Sequence, residues 1–171
     1  MLFRSHSRPF DWLLRDERGD RIERSARADI WAERFPQEWI ERIIPLAGRS
    51  DDVLRDWPRG RTVELAFVDG GHDIGTARHD VLAACGLSAE RFGLLADDYV
   101  ERPGYGVVQA FRELFGDRPP VTVLTTTWGP TAGGPGAGMA WLSLDDRPED
   151  RARLRSRWSA PRRGWLAALV G

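Results

Sequence analysis

Apolar residues in the middle of the chain follow two different spacings. Residues 63–68 (VELAFV) and 93–96 (GLLA) are short apolar runs, and residues 121–128 (VTVLTTTW) are rich in β-branched side chains, so all three are predicted to be strands. Between these runs, apolar residues recur at the spacing of a helix face. The recurring positions are Ala77, Val81, Ala84 and Cys85 after the first run, and Val107, Val108, Phe111, Leu114 and Phe115 after the second.

The order strand, helix, strand, helix predicts an α/β fold with a mostly parallel sheet. Residues 139–144 (MAWLSL) are predicted to pair with residues 121–128 as an antiparallel hairpin that ends the sheet. The loop between them, GPTAGGPGAG, lacks the Lys-Ser/Thr ending of a phosphate-binding loop, so we interpret it as a flexible connection. Trp128 and Trp141 flank this loop and are candidates for lining a substrate pocket.

Both flanks of this region are rich in charge. Residues 1–62 show weak strand signals and one predicted helix around Pro36 to Ile43. Near the other end, RARLRSRW (residues 151–158) has the pattern of a basic amphipathic helix, which we interpret as a solvated surface or a subunit contact. The predicted organisation is an α/β domain at residues 1–144 and an Arg-rich appendage at residues 145–171.

Composition narrows the class of protein. At 171 residues, with 42% hydrophobic and 30% charged residues, the chain is expected to form one globular domain. A formal charge of −1 gives no reason to expect a nucleic-acid or membrane partner. The single cysteine, Cys85, excludes an internal disulfide and favours a cytoplasmic protein. Every basic residue is an arginine, so a lysine base is excluded.

Acidic residues follow two consecutive predicted strands. Asp69 comes directly after the run that ends at Val68, and Asp97 and Asp98 come after the run that ends at Ala96. Ligands of parallel α/β sheets bind beyond the carboxyl ends of the strands, and neighbouring strands lie about 5 Å apart. Three converging carboxylates favour a hard divalent cation, Mg²⁺ before Zn²⁺. The alternative is ordinary turn chemistry, with Asp98 capping the following helix.

These stretches also resemble a known family. FVDGGHD (residues 67–73) and LLADDYVERPGYG (residues 94–106) resemble the class I S-adenosylmethionine (SAM)-dependent O-methyltransferases, in the metal-dependent branch of the catechol and macrocin enzymes. The resemblance implies that Asp69, Asp97 and Asp98 hold Mg²⁺. It also places His72 where the catechol enzymes have a lysine base, and a neutral imidazole can take a proton near neutral pH. The alternative is that His72 is a polar loop residue.

The same resemblance extends to residues that would bind the cofactor. GRSDDVL (residues 48–54) resembles the Gly-x-Ser segment beside the adenine ring, which implies roles for Gly48 and Ser50. Ser50 also fits the N-cap of a following helix. ADIW (residues 28–31) resembles the end of the second strand, where Asp29 would accept hydrogen bonds from both ribose hydroxyls, with Glu23 as a rival.

The chain departs from the family at its front. No Gly-x-Gly segment precedes Gly48, and FRSHS (residues 3–7) resembles the segment just after that glycine loop. The resemblance, which implies a Rossmann-like class I methyltransferase fold, therefore covers about residues 22–144 and lacks the first strand. Without that strand, a central place in the sheet would be empty unless the N-terminal segment or a partner fills it, and an exposed sheet position is compatible with a homodimer.

The sequence thus predicts methyl transfer from SAM to the hydroxyl of a small molecule. Mg²⁺ would lower the pKa of that hydroxyl and His72 would take its proton. Two other classes stay open. One is a non-catalytic methyltransferase-like relic or accessory subunit, and the other is a different metal-dependent α/β enzyme that uses the same acidic residues.

Overall fold

The computed structural model describes residues 2–3, 35–42, 48–54, 57, 60–125 and 138–159. The chain divides into two compact units, one formed by residues 1–5 and 50–171 and the other by residues 6–49. In the second unit, helix α1 (Gln37–Ile40) confirms the predicted helix over the part that is described. The rings of Phe35 and Trp39 stack beside it, with their centroids 6.5 Å apart.

The other described elements belong to the first unit. They are β1 (Leu2–Phe3), α2 (Ser50–Val53), β2 (Val63–Val68), α3 (Ile74–Gly86), β3 (Ser88–Ala96), α4 (Val107–Phe115), β4 (Thr122–Thr125), β5 (Gly138–Ser143) and α5 (Pro148–Ser159). Among the described residues, no helix combines the length and apolar character needed to cross a membrane.

The sheet has a parallel half and an antiparallel half. The described strands lie in the order β1-β2-β3-β5-β4. Strand β2 pairs in parallel with β1 and with β3, while β5 lies antiparallel between β3 and β4. The predicted fold class, a Rossmann-like α/β sheet that ends in an antiparallel hairpin, is therefore confirmed.

Strand β3 is longer than its apolar run predicts. The prediction began at Gly93, whereas the strand begins at Ser88. Ser88 is buried, but Glu90 and Arg91 are exposed, and the continuous buried stretch starts only at Phe92. An apolar run therefore identifies the apolar part of a strand that faces the core, and the more polar beginning of β3 carries no such signal.

The N-terminal segment fills part of the place beside β2. Leu2 pairs with Phe67, and Phe3 pairs with Val68, both in the parallel sense. From the sequence, the N-terminal segment and a partner are the two ways to fill this position. The described residues show the N-terminal segment there, beside the carboxyl end of β2.

Helix α5 packs against α3. The described part of the Arg-rich segment therefore belongs to the same compact unit as the sheet. Leu154 is fully buried in the core. Two arginines secure the helix: Arg153 donates to the carbonyl oxygen of Leu114 at 2.7 Å, and Arg155 donates to that of Ser88 at 2.5 Å. The helix predicted from RARLRSRW is confirmed, and its arginines bind backbone carbonyls of neighbouring elements.

The close approach of α3 and α5 depends on a glycine. A β-carbon on Gly86, the last residue of α3, would overlap the β-carbon of Trp158 in α5. Because a β-carbon cannot rotate away, the two helices would have to separate.

We expect Gly86→Ala to lower the free energy of unfolding by about 1–3 kcal/mol, since overpacking outweighs the gain in helix propensity. Chemical denaturation measures this change. The matched control is Gly75→Ala in the exposed first turn of the same helix, where the nearest atom to the new β-carbon is Asp73 Oδ1 at 3.2 Å. A Gly86 variant as stable as the control would show that the helices separate without cost.

Candidate functional site

Two neighbouring parallel strands deliver acidic residues to one edge of the sheet. Val68, the last residue of β2, lies opposite Ala96, the last residue of β3. The ladder continues one residue further, because the backbone N–H of Asp97 donates to the carbonyl oxygen of Val68 at 2.9 Å. Asp69 and Asp97 therefore leave the sheet side by side, and Asp98 follows one residue later.

The carboxylates of Asp69, Asp97 and Asp98 converge. One oxygen from each lies within 4.8 Å of the other two, and all three residues are half-buried. Oxygens that bind Mg²⁺ at about 2 Å lie up to about 4 Å apart across the ion, so small side-chain rotations would bring these three into range. A set of hard, anionic oxygens suits Mg²⁺ better than Zn²⁺, and these residues fit such an ion.

Asp98 adopts a left-handed backbone conformation, with φ of 53°. Aspartate tolerates this region better than most residues because its short side chain can bond locally. Here the backbone N–H of Asp98 donates to Asp97 Oδ1 at 2.9 Å, and the N–H of Val100 donates to the Asp98 carbonyl at 2.8 Å. The turn therefore fixes where both carboxylates lie.

His72 contacts the acidic cluster directly. Its Nδ1 lies 2.9 Å from Asp98 Oδ2, and 41% of its side chain is exposed. An ionised carboxylate only accepts hydrogen bonds, so Nδ1 carries the proton in this contact. In the neutral ring, Nε2 is then the atom that can accept a proton.

The surroundings raise the pKa of Asp98 above its ordinary value. Burial of the carboxyl group is the main cause, and the charges of Asp97 and Asp69 add to it. His72 and Arg102 act in the opposite direction. Burial and repulsion both disfavour the ionised form of Asp98. A cation among the carboxylates would stabilise that form.

A loop after β3 closes over His72. The N–H of Gly106 donates to the His72 carbonyl at 2.6 Å. A β-carbon on Gly106 would lie 2.5 Å from the backbone nitrogen of Ile74, so this close approach requires glycine. The ring of Tyr105 lies 4.6 Å from the His72 ring, and the guanidinium carbon of Arg102 lies 3.5 Å from the centre of the Tyr105 ring. Arg102, Tyr105 and Gly106 belong to the stretch LLADDYVERPGYG, but no sequence pattern assigned these three residues a role in the site.

The acidic cluster lies in a small cleft. Its empty volume of about 280 Å³ includes space that is open to solvent, so the cleft is shallow. Part of its lining is acidic and glycine-rich and part is apolar. The first group is Asp69, Gly70, Gly71, His72, Asp97 and Asp98, and the second is Val68, Ala77, Val81 and Val107.

The residues that the resemblance assigns to SAM are described only in part. Asp29 and its rival Glu23 lie outside the described residues, and Gly48 belongs to the second unit, where it has φ of 139°. Ser50, at the start of α2, is 8% exposed and its hydroxyl donates to Asp80 Oδ1 at 2.5 Å. That hydroxyl thus has a structural partner in α3, and its role toward adenine stays a prediction.

Of the two aromatic candidates for a substrate pocket, only Trp141 is described, because Trp128 lies outside the described residues. Trp141, in β5, is 36% exposed, and a β-carbon on Gly93 would overlap its ring. This tryptophan therefore covers a glycine of the sheet, and it is not among the residues around the acidic cluster.

No protein-family model matches the sequence, and no curated protein matches it. Solved structures are similar to the chain over part of its length. A protein assigned as an O-methyltransferase from Klebsiella pneumoniae is 21% identical, with a TM-score of 0.43, and the match covers 60% of this chain and 50% of that one. The O-methyltransferase TomG from Streptomyces achromogenes, involved in tomaymycin synthesis and solved with SAM, is 24% identical with a TM-score of 0.40, covering 56% and 47%.

A third solved structure, cofactor-bound Rv0187 from MTB, is 18% identical with a TM-score of 0.40, and the match covers 58% of this chain and 49% of that one. The match to each of these proteins spans about half of that protein's length. Similarity at this level does not assign the chain to a family.

Asp73 explains part of the FVDGGHD pattern by ordinary helix chemistry. It is the N-cap of α3, and its side chain accepts a hydrogen bond from the backbone N–H of Thr76 at 2.9 Å. Hydrogen bonds with the side chain and then the backbone of Thr76 hold the pKa of Asp73 below its ordinary value. The last acid of the motif therefore stabilises the helix that follows the site.

We expect Asp73→Ala to lower the free energy of unfolding by about 1 kcal/mol at neutral pH, as loss of an N-cap usually does. Because the folded-state pKa is lowered, the stabilisation by wild-type Asp73 is present above its unfolded pKa of about 3.9 and is lost as pH falls through the folded value. Denaturation at several pH values measures this loss, because the stability difference between the wild type and Asp73→Ala should shrink as the pH falls. Asp73→Ser should retain most of the cap, and equal losses for both variants would contradict the capping role.

Proposed function

We propose that this chain is a SAM-dependent methyltransferase that methylates a hydroxyl of a small molecule with the help of Mg²⁺. The observation that supports it most directly is the convergence of Asp69, Asp97 and Asp98 beside His72 at the carboxyl ends of two parallel strands. The motifs FVDGGHD and LLADDYVERPGYG, which resemble the metal-dependent O-methyltransferases, contribute all four residues.

In this proposal, Asp69, Asp97 and Asp98 hold the metal ion. Bound Mg²⁺ would supply Lewis-acid chemistry that lowers the pKa of a substrate hydroxyl. His72 receives the hydroxyl proton on Nε2, while its Nδ1–H stays bonded to Asp98 Oδ2. Asp98 therefore has two roles, since it orients the base and supplies a ligand oxygen.

The size of the cleft limits what it can hold. In this proposal the cleft holds the metal ion and the reacting hydroxyl of a small substrate, whose carbon skeleton would contact the apolar part of the lining. A cofactor as large as SAM would need residues beyond this lining. From the resemblance alone, we propose Asp29, Gly48 and Ser50 for this role.

We extend the proposal to partners and location. The substrate would be a small molecule, because a formal charge of −1 offers nothing that would attract nucleic acid or an anionic membrane. A cytoplasmic location is in keeping with a single cysteine, which is buried and free. A homodimer stays part of the proposal, since in the part of the chain that the structure describes β1 pairs with the last two residues of β2.

Two alternatives each have an observation in their favour. The bond from Ser50 to buried Asp80 favours a methyltransferase-like relic or accessory subunit, because it uses the hydroxyl that the resemblance assigns to the adenine site. The acidic cluster with its neighbouring histidine would equally serve another metal-dependent α/β enzyme, such as a hydrolase.

Calorimetric titration of the full chain with Mg²⁺, with SAM, and with SAM in the presence of Mg²⁺ separates these three functions. We expect Mg²⁺ to bind and to strengthen SAM binding, because a methyltransferase of this kind assembles both at one site. Asp97→Asn/Asp98→Asn should abolish metal binding, since it removes two anionic ligands while keeping their shape. Asp146→Ala, an exposed acid in the turn after β5, is the control and should bind metal like the wild type.

Metal binding without SAM binding would point to the other metal-dependent enzyme. No binding of either would support the relic. Metal affinity unchanged in the double asparagine variant would rule out these ligands.

Transfer itself is measured as formation of S-adenosylhomocysteine with catechol and other small hydroxylated compounds. We expect turnover that requires Mg²⁺ and that stops when the metal is chelated. His72→Gln should lower kcat by about 10²–10⁴-fold, because the amide can still donate to Asp98 but cannot take a proton. If His72→Gln matched the wild-type rate on a substrate that the wild type turns over, the base would be another group.

A further inference from the structure

Tyr105 connects to the acidic cluster through His72. The two rings lie 4.6 Å apart between centroids and are inclined by 31°. On the same imidazole, Nδ1 contacts Asp98 Oδ2 at 2.9 Å. A continuous series of contacts therefore runs from the Tyr105 ring through His72 to one of the three converging carboxylates.

The backbone holds this series in place from both ends. The loop begins at Asp98, whose carboxylate contacts the His72 side chain, and ends at Gly106, whose N–H donates to the His72 carbonyl at 2.6 Å. Tyr105 precedes Gly106 and is half-buried, and the guanidinium carbon of Arg102 lies 3.5 Å from the centre of its ring. The ring of Tyr105 thus contacts Arg102 as well as His72.

His72 needs such support because its side chain is 41% exposed. An exposed imidazole held by one hydrogen bond can turn about its side-chain torsions, and each turn would release Asp98. A flat ring against it restricts that motion.

We propose that Tyr105 is a positioning residue of the metal centre. Its ring holds the His72 imidazole in the orientation in which Nδ1–H bonds Asp98 Oδ2 and Nε2 is available for the substrate proton. This inference rests on the proposed function, since it concerns the same metal ion and the same base. Groups that orient metal ligands in this way typically change metal affinity by about 10–100-fold when they are removed.

The test is calorimetric titration of the full chain with Mg²⁺ alone, which needs no substrate. We expect Tyr105→Ala to raise the Kd for Mg²⁺ by about 10-fold or more, and Tyr105→Phe to leave it near the wild-type value because the ring remains. His72→Ala should weaken binding to a similar degree. Adding Tyr105→Ala to His72→Ala should then have little further effect, because Tyr105 acts through the histidine.

A second histidine–aromatic contact provides the matched control. The rings of His79, in the middle of α3, and Trp158 lie 5.4 Å apart between centroids. Trp158→Ala removes an aromatic ring from a histidine and should destabilise the fold without changing the Kd for Mg²⁺. Thermal unfolding of each variant shows whether it is folded at the titration temperature, and Tyr105→Leu replaces Tyr105→Ala if the alanine variant is not.

The outcomes are distinguishable. If the wild type binds no Mg²⁺, the proposed function fails and this inference fails with it. If the wild type binds Mg²⁺ and the Tyr105 variants that lack a ring bind it equally well, only the positioning role is overturned. The positioning role is also overturned if Trp158→Ala weakens metal binding as much as Tyr105→Ala, because general destabilisation would then account for both.

Discussion

The parallel pairing of β2 with β3 is the constraint on which the site depends. Val68 lies opposite Ala96, so the residues after each strand emerge at the same height and on the same edge of the sheet. A shift of this register by one residue would turn the side chains of one strand to the opposite face, and the acidic residues after it would move with them. The interior faces of these strands, which include the fully buried Ala66 and Leu94, hold the register.

The apolar core therefore stabilises the folded chain, while repulsion within the acidic cluster destabilises it. Three half-buried carboxylates within 4.8 Å repel one another, and the raised pKa of Asp98 shows that its ionised form is disfavoured. The apolar strands and helices behind the cluster offset any cost that remains. A divalent cation among these carboxylates, as in the proposed function, would lower their mutual repulsion.

Much of this could be predicted from the sequence, because it depends on local periodicity. The bounds of β2 and α4 follow from their apolar patterns, and the meeting of Asp69 with Asp98 follows from the geometry of parallel strands. Contacts between loops could not be predicted. The approach of Tyr105 to His72 depends on how the loop after β3 folds back, and the packing of α5 depends on arginines that bind backbone carbonyls, a use that a charge pattern does not reveal.

For the residues that follow β2 and β3, turn chemistry and a functional site are not exclusive alternatives. Asp73 caps α3, and Asp98 adopts the left-handed conformation that shapes its turn, so both have ordinary structural roles. Yet the same turn presents the Asp97 and Asp98 carboxylates to Asp69, and the residue before the cap, His72, bonds Asp98. Because a helix start and a strand end must both change chain direction, the residues that make those changes are the ones whose side chains can meet beyond the sheet. Local turn preferences thus bring the acidic cluster and His72 together beyond the sheet.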